Sequence, residues 1–337
     1  MNISYSSSDY YSSHTCISIV SVLENNKSED EINIFILDMG ITNINKEKIR
    51  ETVIRYGRNI SFIQIDEEII KEYLNDRIPP HIGSLATYAR LCATAIYPQY
   101  IDRIMCIDSD MIITASLHNV YNSNLTGKLV AAVPIKKSRY KDAAGASYEE
   151  RKIQERHSFY INAGFMIFEL NNWRSMRFDL QLKKAANELE IFKHKDQTIL
   201  NYALDNDYLF KLSPKYNFSG HRYPKYLLNH YIEDSAPFSK EEFIEAVKDP
   251  IVIHYIGDQS RPWFKENVSW LSHWYFKYKK LTPYKDIPIE SLFDTPRFKN
   301  KSIFEKLFFK LYFWSCKHPI GYPIYFLRNK LPKYINR

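Results

Sequence analysis

Two carboxylates one residue apart, Asp108 and Asp110, close a short apolar run in Arg103-Ile-Met-Cys-Ile-Asp-Ser-Asp-Met-Ile-Ile-Thr114. In an extended backbone, residues i and i+2 point to the same side, so both side chains can converge on one point. Like charges at that spacing repel and neither tolerates burial alone, so the pair calls for a solvated turn or a cation. Hard carboxylate oxygens suit Mg²⁺ or Mn²⁺, which keep coordination positions open for substrate phosphates. The chemical reading is a strand-end metal site for a nucleotide diphosphate. The plainer reading is a polar turn between two strands. A second Asp-x-Asp, Asp205-Asn206-Asp207, follows a helical-looking segment, Gln197 to Leu204, and opens the run Tyr208 to Leu212. It reads as a helix exit built of turn formers. Only the Asp108 copy caps an apolar strand, where open α/β sheets place their ligands.

The elements that must carry this pair alternate. Asn2 to Ser7 is a short strand candidate, followed by a helical pattern from Tyr11 to Glu24. Ile32 to Asp38 is a β-type run, and a helix from Asn43 to Tyr56 follows with Asn43 as its expected N-cap. Ile60 to Asp66 is a third strand, Ser84 to Tyr97 a helix stopped by Pro98, and the run ending at Asp108 a fourth strand. Strand–helix alternation of this kind predicts a mostly parallel α/β sheet with its strand carboxyl ends on one rim. Further on, Lys128 to Pro134 and Phe159 to Glu169 read as strands, with Lys136 to Arg156 a polar connection between them. Asn172 or Ser175 starts a helix to Phe192, Lys195 to Asn201 opens another, and Pro250 to Gly257 is an apolar strand bearing His254. Glycine within a strand pattern, as at Gly164, marks a bulge or a close approach to a ligand.

Composition narrows the class. With 337 residues, 45% hydrophobic and 25% charged, the chain is that of an ordinary globular protein. Nine glycines and no G-x-G-x-x-G or G-x-x-x-x-G-K-[ST] argue against dinucleotide oxidoreductases and P-loop NTPases. Cys16, Cys92, Cys106 and Cys316 are scattered, which suggests reduced thiols rather than a zinc site or disulfide framework. The first residues lack the basic start and apolar run of a signal peptide, and no uncharged stretch reaches the roughly 18 apolar residues of a membrane span. The net charge of +7 is uneven: ten Lys/Arg against one acid lie from Arg297 onward, leaving 36 basic against 38 acidic residues before it.

Taken in order, Leu23-Glu-Asn-Asn26, Thr87-Tyr-Ala-Arg90, Ile107-Asp-Ser-Asp110, Phe159-Tyr-Ile-Asn-Ala-Gly164, Lys195-Asp-Gln-Thr-Ile-Leu-Asn201 and His254-Tyr-Ile-Gly257 followed by Arg261-Pro-Trp263 resemble the family 8 glycosyltransferases. That family includes bacterial lipo-oligosaccharide galactosyl- and glucosyltransferases and the glycogenins, and the resemblance spans residues 1 to about 275. It implies a GT-A fold, a UDP-sugar donor (UDP-glucose or UDP-galactose), Mn²⁺ with Mg²⁺ as substitute, and transfer with retention of configuration. The implied metal ligands are Asp108, Asp110 and His254. The implied donor site comprises Ser6, Ser7, Tyr11, Arg90, Asp108, Ser109, Asn162, Ala163, Gly257 and Arg261, with Gln197 and Asp196 at the reacting centre. Arg261 stands where lysine is common, and a guanidinium can bind phosphate bidentately. Many members read Asp-Asp-Asn-Tyr in the first loop; this chain reads Ser8-Asp9-Tyr10-Tyr11.

Residues 1–280 are therefore expected to form the catalytic GT-A domain and residues 281–337 a basic aromatic tail. In the tail, Lys306, Lys310 and Lys317 share one helical face while Ile303, Leu307, Leu311 and Trp314 point elsewhere. Such a helix reads as lying on an anionic leaflet. Packing on the body or a partner chain and nucleic-acid binding are the rivals, and no nucleic-acid motif accompanies it. The expectation is a cytoplasmic enzyme, peripheral on the inner face of the cell membrane, acting on a surface glycan or glycolipid acceptor. The rival of a different class is a non-catalytic UDP-sugar or glycan-binding assembly subunit of the same fold.

Overall fold

The computed structural model describes residues 1–80, 85–137, 159–190, 192, 194–219 and 237–317. Most of the connection from Lys136 to Arg156 and the end of the tail lie outside them.

Strand β1 (Asn2–Ser7) leads into helix α1 (Ser12–Asn25), β2 (Asn33–Asp38) into helix α2 (Asn43–Arg55), and then come β3 (Asn59–Gln64) and β4 (Arg103–Ile107). After the Asp108–Asp110 turn come β5 (Met111–Ile113), β6 (Val130–Lys137), β7 (Phe159–Glu169), β8 (Leu209–Lys211) and β9 (Val252–His254). Seven strands form one sheet in the order β3-β2-β1-β4-β7-β6-β8; β5 and β9 form a separate pair. β1, β2, β3 and β4 are mutually parallel, so Ser7, Asp38 and Ile107 end on one rim as the alternation requires. β7 runs antiparallel to β4, with Ile107 opposite Phe165. That reversal brings the beginning of β7, Asn162 to Gly164, to the rim where β4 ends.

Period-two alternation builds the core on both sheet faces. Phe35, Leu37, Ile104 and Cys106 enter one apolar cluster, while Ile34, Ile36, Met105 and Ile107 enter the other. Edge strand β3 instead alternates exposed and half-buried residues. Helix α1 is buried on nearly every side from Ser12 to Leu23, because Ile17 and Val20 face a third cluster, containing Phe218, Tyr255, Trp263, Phe298 and Phe313, while Ile19 and Val22 face the sheet. The chain beyond residue 280 stays on this body at least to Phe313, with Leu292, Phe298 and Phe313 buried.

Several local expectations change. Thr42, not Asn43, caps α2, its hydroxyl accepting from Asn45 N at 3.4 Å. β3 stops at Gln64, and Asp66 caps the helix Glu67–Tyr73. The expected helix from Ser84 is a 3₁₀ segment, Ala86–Cys92, followed by one α turn, Ala93–Ile96. The long helix after β7 is two, Leu170–Ser175 and Phe178–Glu188, broken at Arg177 with φ +49°. The Pro250–Gly257 run shortens to a three-residue strand outside the main sheet. Cys16, Cys92 and Cys106 are free and buried.

Candidate active site

The two carboxylates meet through a turn rather than along an extended strand. β4 ends at Ile107, Met111 N donates to Asp108 O at 3.1 Å, and the chain reverses into β5. Ser109, between them, turns inward and shares a 2.7 Å hydrogen bond with Thr15. Because β5 pairs with β9 and Met111 lies opposite His254, the histidine arrives beside the carboxylates from 144 residues downstream of Asp110. His254 Nε2 is 3.1 Å from Asp110 Oδ1 and 3.9 Å from Asp108 Oδ2, and one ligand atom from each residue lies within 4.8 Å of the others. Burial opposes ionisation of Asp110, but His254 and Arg261 beside it hold its carboxyl down at about 2. Ionised carboxylates only accept hydrogen bonds, and a cation between them could be bound by both together with a neutral imidazole nitrogen. An oxygen, oxygen, nitrogen set of this kind fits a divalent metal, and imidazole favours a transition ion over Ca²⁺.

Gly164 permits the arrangement. A Cβ at that position would meet His254 Cε1 at 2.5 Å and Met111 Cε at 2.6 Å. The close approach at this strand glycine is to the His254 and Met111 side chains. Gly164 O also accepts from Asp108 N at 2.8 Å, tying β7 to the turn.

Beside the Asp108, Asp110 and His254 cluster lies a second charged group. Arg90 is buried and donates to Asp108 Oδ1 and to Ala163 O, both at 2.6 Å; its Nε sits 3.5 Å from Asp196 Oδ2. In a 3₁₀ helix residues i and i+3 eclipse, so Thr87 lies above Arg90 and donates to Asp196 Oδ1 at 2.8 Å. Burial pushes Asp196 up to about 6, against the opposing pull of Arg90. Gln197 follows, its Oε1 accepting from Asn162 Nδ2 at 3.0 Å and from Ala163 N at 3.1 Å. Asn201 explains the register of this helix: its amide accepts from Ile161 N at 2.7 Å and donates to Ile161 O at 3.0 Å, like one more strand residue. Lys195, with φ +55° and ψ −124°, is a strained residue that turns the chain into the helix start.

The remaining candidates surround the rim less closely. Gly257 takes φ +84°, a conformation suited to glycine, on the way to Arg261. Arg261 lies 3.6 Å from Asp110 Oδ2 and 3.0 Å from Asp258 Oδ1, over the Trp263 ring; its Nε is buried without a partner. Asp258 also pairs with Arg297. Tyr11 is half-buried, and burial lifts its hydroxyl to about 12. Ser7 bonds Thr15 and its carbonyl accepts from Met39 N at 3.1 Å, while Ser6 is half-buried at the end of β1. Asp9 is committed elsewhere, its Oδ1 accepting from Thr42 N, Thr42 Oγ1 and Asn45 Nδ2, each at 2.8 Å. Asp205 of the second Asp-x-Asp caps a short 3₁₀ turn by accepting from Asp207 N. Thr87 and Asn201 lie within motifs that carry the family resemblance, yet sequence reading gives them no role, and Asn217 lies in none of those motifs.

These elements define a glycosyltransferase with the GT-A architecture. The descriptor "Glycosyl transferase family 8" matches residues 2–267, and the chain belongs to that family. It is 24% identical over 294 residues to general stress protein A of Bacillus subtilis (strain 168), covering 85% of this chain and 96% of that one. It is 25% identical over 333 residues to a lipopolysaccharide 1,2-glucosyltransferase of Escherichia coli, covering 95% and 90%. Among solved structures, the galactosyltransferase LgtC in complex with donor and acceptor sugar analogues superposes with a TM-score of 0.66 at 21% identity, covering 84% of this chain and 96% of that one. At that identity the likeness is one of fold.

Proposed function

We propose that this protein is a retaining hexosyltransferase that moves glucose or galactose from a UDP-sugar to a surface-glycan or lipid-linked acceptor. The observation that carries the reading is the Asp108, Asp110 and His254 cluster at the end of β4, within reach of the Arg90–Asp196 pair through Asp108. Asp108, Asp110 and His254 would hold Mn²⁺, or Mg²⁺ in its place. When bound, the metal supplies a Lewis acid for the charge that gathers on the departing diphosphate. Arg261, oriented between Asp258 and Asp110, offers a planar guanidinium to a phosphate. Tyr11 offers a ring face to uracil at the end of the first loop, where Ser6 and Ser7 supply backbone. Arg90 and Asp196 are placed to grip sugar hydroxyls by charge-assisted hydrogen bonds. Ala163, Asn162 and Gln197 border the anomeric carbon, with Ser109 and Gly257 contributing backbone near the diphosphate.

An amide is a poor nucleophile, and Gln197 Oε1 already accepts two hydrogen bonds. The proposed step is therefore front-face attack. The acceptor oxygen bonds the anomeric carbon as the carbon–phosphate oxygen bond breaks, and the acceptor proton passes to the departing phosphate. Trapping a glycosyl adduct on any side chain would overturn this step. The reading as a whole is tested by UDP release from UDP-glucose and UDP-galactose without acceptor. Metal-dependent release from one of them is expected; no release from any UDP-hexose with Mn²⁺ or Mg²⁺ defeats it.

The tail supports action at a membrane. In the helix Ile303–Lys317, Phe309 and Phe313 pack on the body, while Ile303 and Phe304 are 83% and 85% exposed and Leu307, Leu311 and Trp314 about half exposed. Those five positions share one outward face, bordered by Lys306 and Lys310, which is the composition of an interfacial helix on anionic lipid. Among the described residues no helix is long and apolar enough to cross a membrane. We place the protein on the cytoplasmic face of the cell membrane.

A further inference from the structure

We infer that Asn217 is a positioning residue that sets, through one polar chain, both the tautomer of His254 and the orientation of Gln197. The inference rests on the metal-dependent reading above only for what His254 binds. Four side chains lie in sequence: His254 Nδ1 is 2.8 Å from Asn217 Oδ1, Asn217 Nδ2 is 2.6 Å from Asn162 Oδ1, and Asn162 Nδ2 is 3.0 Å from Gln197 Oε1. Amide flips and imidazole tautomers follow from the network around them, and here the network has two ends that admit one answer. The backbone N–H of Gly164 donates at 3.0 Å to Asn162 Oδ1, and that of Ala163 at 3.1 Å to Gln197 Oε1. A backbone N–H can only donate, so both side-chain groups it meets must be oxygens.

The rest follows by elimination. With its oxygen held by Gly164 N–H, Asn162 presents its NH₂ to Gln197. The Asn217 group that faces Asn162 Oδ1 must be the NH₂. Asn217 therefore turns its oxygen to His254, and the imidazole nitrogen it meets must carry a proton. In the neutral ring, Nδ1–H leaves the lone pair on Nε2, and Nε2 is the atom 3.1 Å from Asp110 Oδ1. Two strand amides thus dictate, across two asparagines, which histidine nitrogen faces the carboxylates. At the other end, Gln197 Oε1 is saturated by two donors and its NH₂ is the group left for the substrate side. Asn217 is buried, at the end of the 3₁₀ segment Pro214–Asn217, and Phe218 N and O bond the β9 backbone at Val252 and His254, at 2.8 and 2.9 Å. The same segment that carries the amide therefore holds the strand that carries the histidine.

Two variants, Asn217→Ala and Asn217→Asp, are compared with wild type, each checked by thermal melting. Long-range ¹H–¹⁵N correlation spectra of ¹⁵N-histidine-labelled, metal-free protein report the His254 tautomer, with His254→Gln assigning the signal. At a pH where the ring is neutral, wild type is expected as the Nδ1–H tautomer. Outer-shell partners of metal-bound histidine typically contribute 10- to 100-fold in metal affinity, so Asn217→Ala should weaken Mn²⁺ binding by roughly that factor and lose the single tautomer. Asn217→Asp keeps an acceptor for Nδ1–H but faces Asn162 Oδ1 with oxygen; it should retain Mn²⁺ affinity within about threefold while kcat for UDP release falls tenfold or more. That split between metal affinity and kcat is what a purely structural role does not give. The neutral Nε2–H tautomer in wild type, or unchanged Mn²⁺ affinity in Asn217→Ala, overturns the inference. If wild type binds no Mn²⁺, the metal reading fails by itself, and the tautomer spectrum still decides the chain.

Discussion

Asp108 and Asp110 are not equivalent, although sequence spacing treats them alike. Asp108 gives one oxygen to Arg90 and keeps the other toward His254, whereas Asp110 lies between His254 and Arg261. Asp110→Asn should lose metal-dependent transfer by at least a hundredfold with the fold intact, as judged by activity beside circular dichroism. Asp108→Asn should do the same and in addition loosen Arg90; robust activity in either variant would sink the metal reading. Asp196 makes a prediction with a pH sign. Its folded value, about 6, is above the ordinary 3.8, so stability from its protonated form is full below about 4 and is lost as pH rises through about 6. Asp196→Asn should therefore melt higher than wild type at pH 7.5, by up to about 3 kcal/mol of stability, and equally at pH 4. Catalysis should show the opposite trend, with wild-type activity falling below pH 6 as the carboxylate loses its capacity to accept sugar hydroxyls.

At the scale of elements, the site is a junction of β4, the start of β7, β9 and the helix Asp196–Ala203. β7 matters most because its reversed direction places Asn162, Ala163 and Gly164 at the parallel strands' carboxyl rim. Gly164→Ala tests that junction. The added methyl cannot coexist with the His254 ring and the Met111 methyl where they stand, so the strand or the histidine must shift. Overpacking of this kind costs about 1–3 kcal/mol, and metal affinity measured by Mn²⁺ titration should fall at least tenfold. The strand order and the rim could be anticipated from apolar runs separated by helical patterns, because a parallel sheet buried on both faces leaves that mark. The 3₁₀ form of Ala86–Cys92 could not, since an apolar and polar pattern over seven residues fits either helix; what selects it is the pairing of Thr87 and Arg90 on Asp196. The break at Arg177 was equally silent, with no glycine or proline to announce it.

For the whole molecule, the basic tail has two sides with different expected behaviour. Phe313 is 5% exposed and shares a cluster with α1, so Phe313→Ala should destabilise the entire protein by about 3–5 kcal/mol, seen as a lower urea midpoint. Leu307, Leu311 and Trp314 on the outer face should behave oppositely. Changing all three to serine should leave the midpoint and UDP release unchanged while reducing sedimentation with vesicles of anionic lipid by tenfold or more. Equal sedimentation of the triple variant would remove lipid binding from that face.

The sequence by itself determined what its local chemistry and periodicity encode. Asp108-Ser-Asp110 was distinguishable from Asp205-Asn-Asp207 because one follows an apolar strand and the other a helix exit. Family membership was legible for a different reason: short motifs around the rim recur in one order. Tertiary structure decided which distant groups share a point. His254 reaches Asp110 only because β9 pairs with β5, Asn217 reaches His254 only because Phe218 bonds β9, and the polar chain from His254 to Gln197 is oriented only once Gly164 and Ala163 are held at the rim. Hydrogen bonds act over about 3 Å, and no one-dimensional spacing specifies a 3 Å approach between residues tens of positions apart.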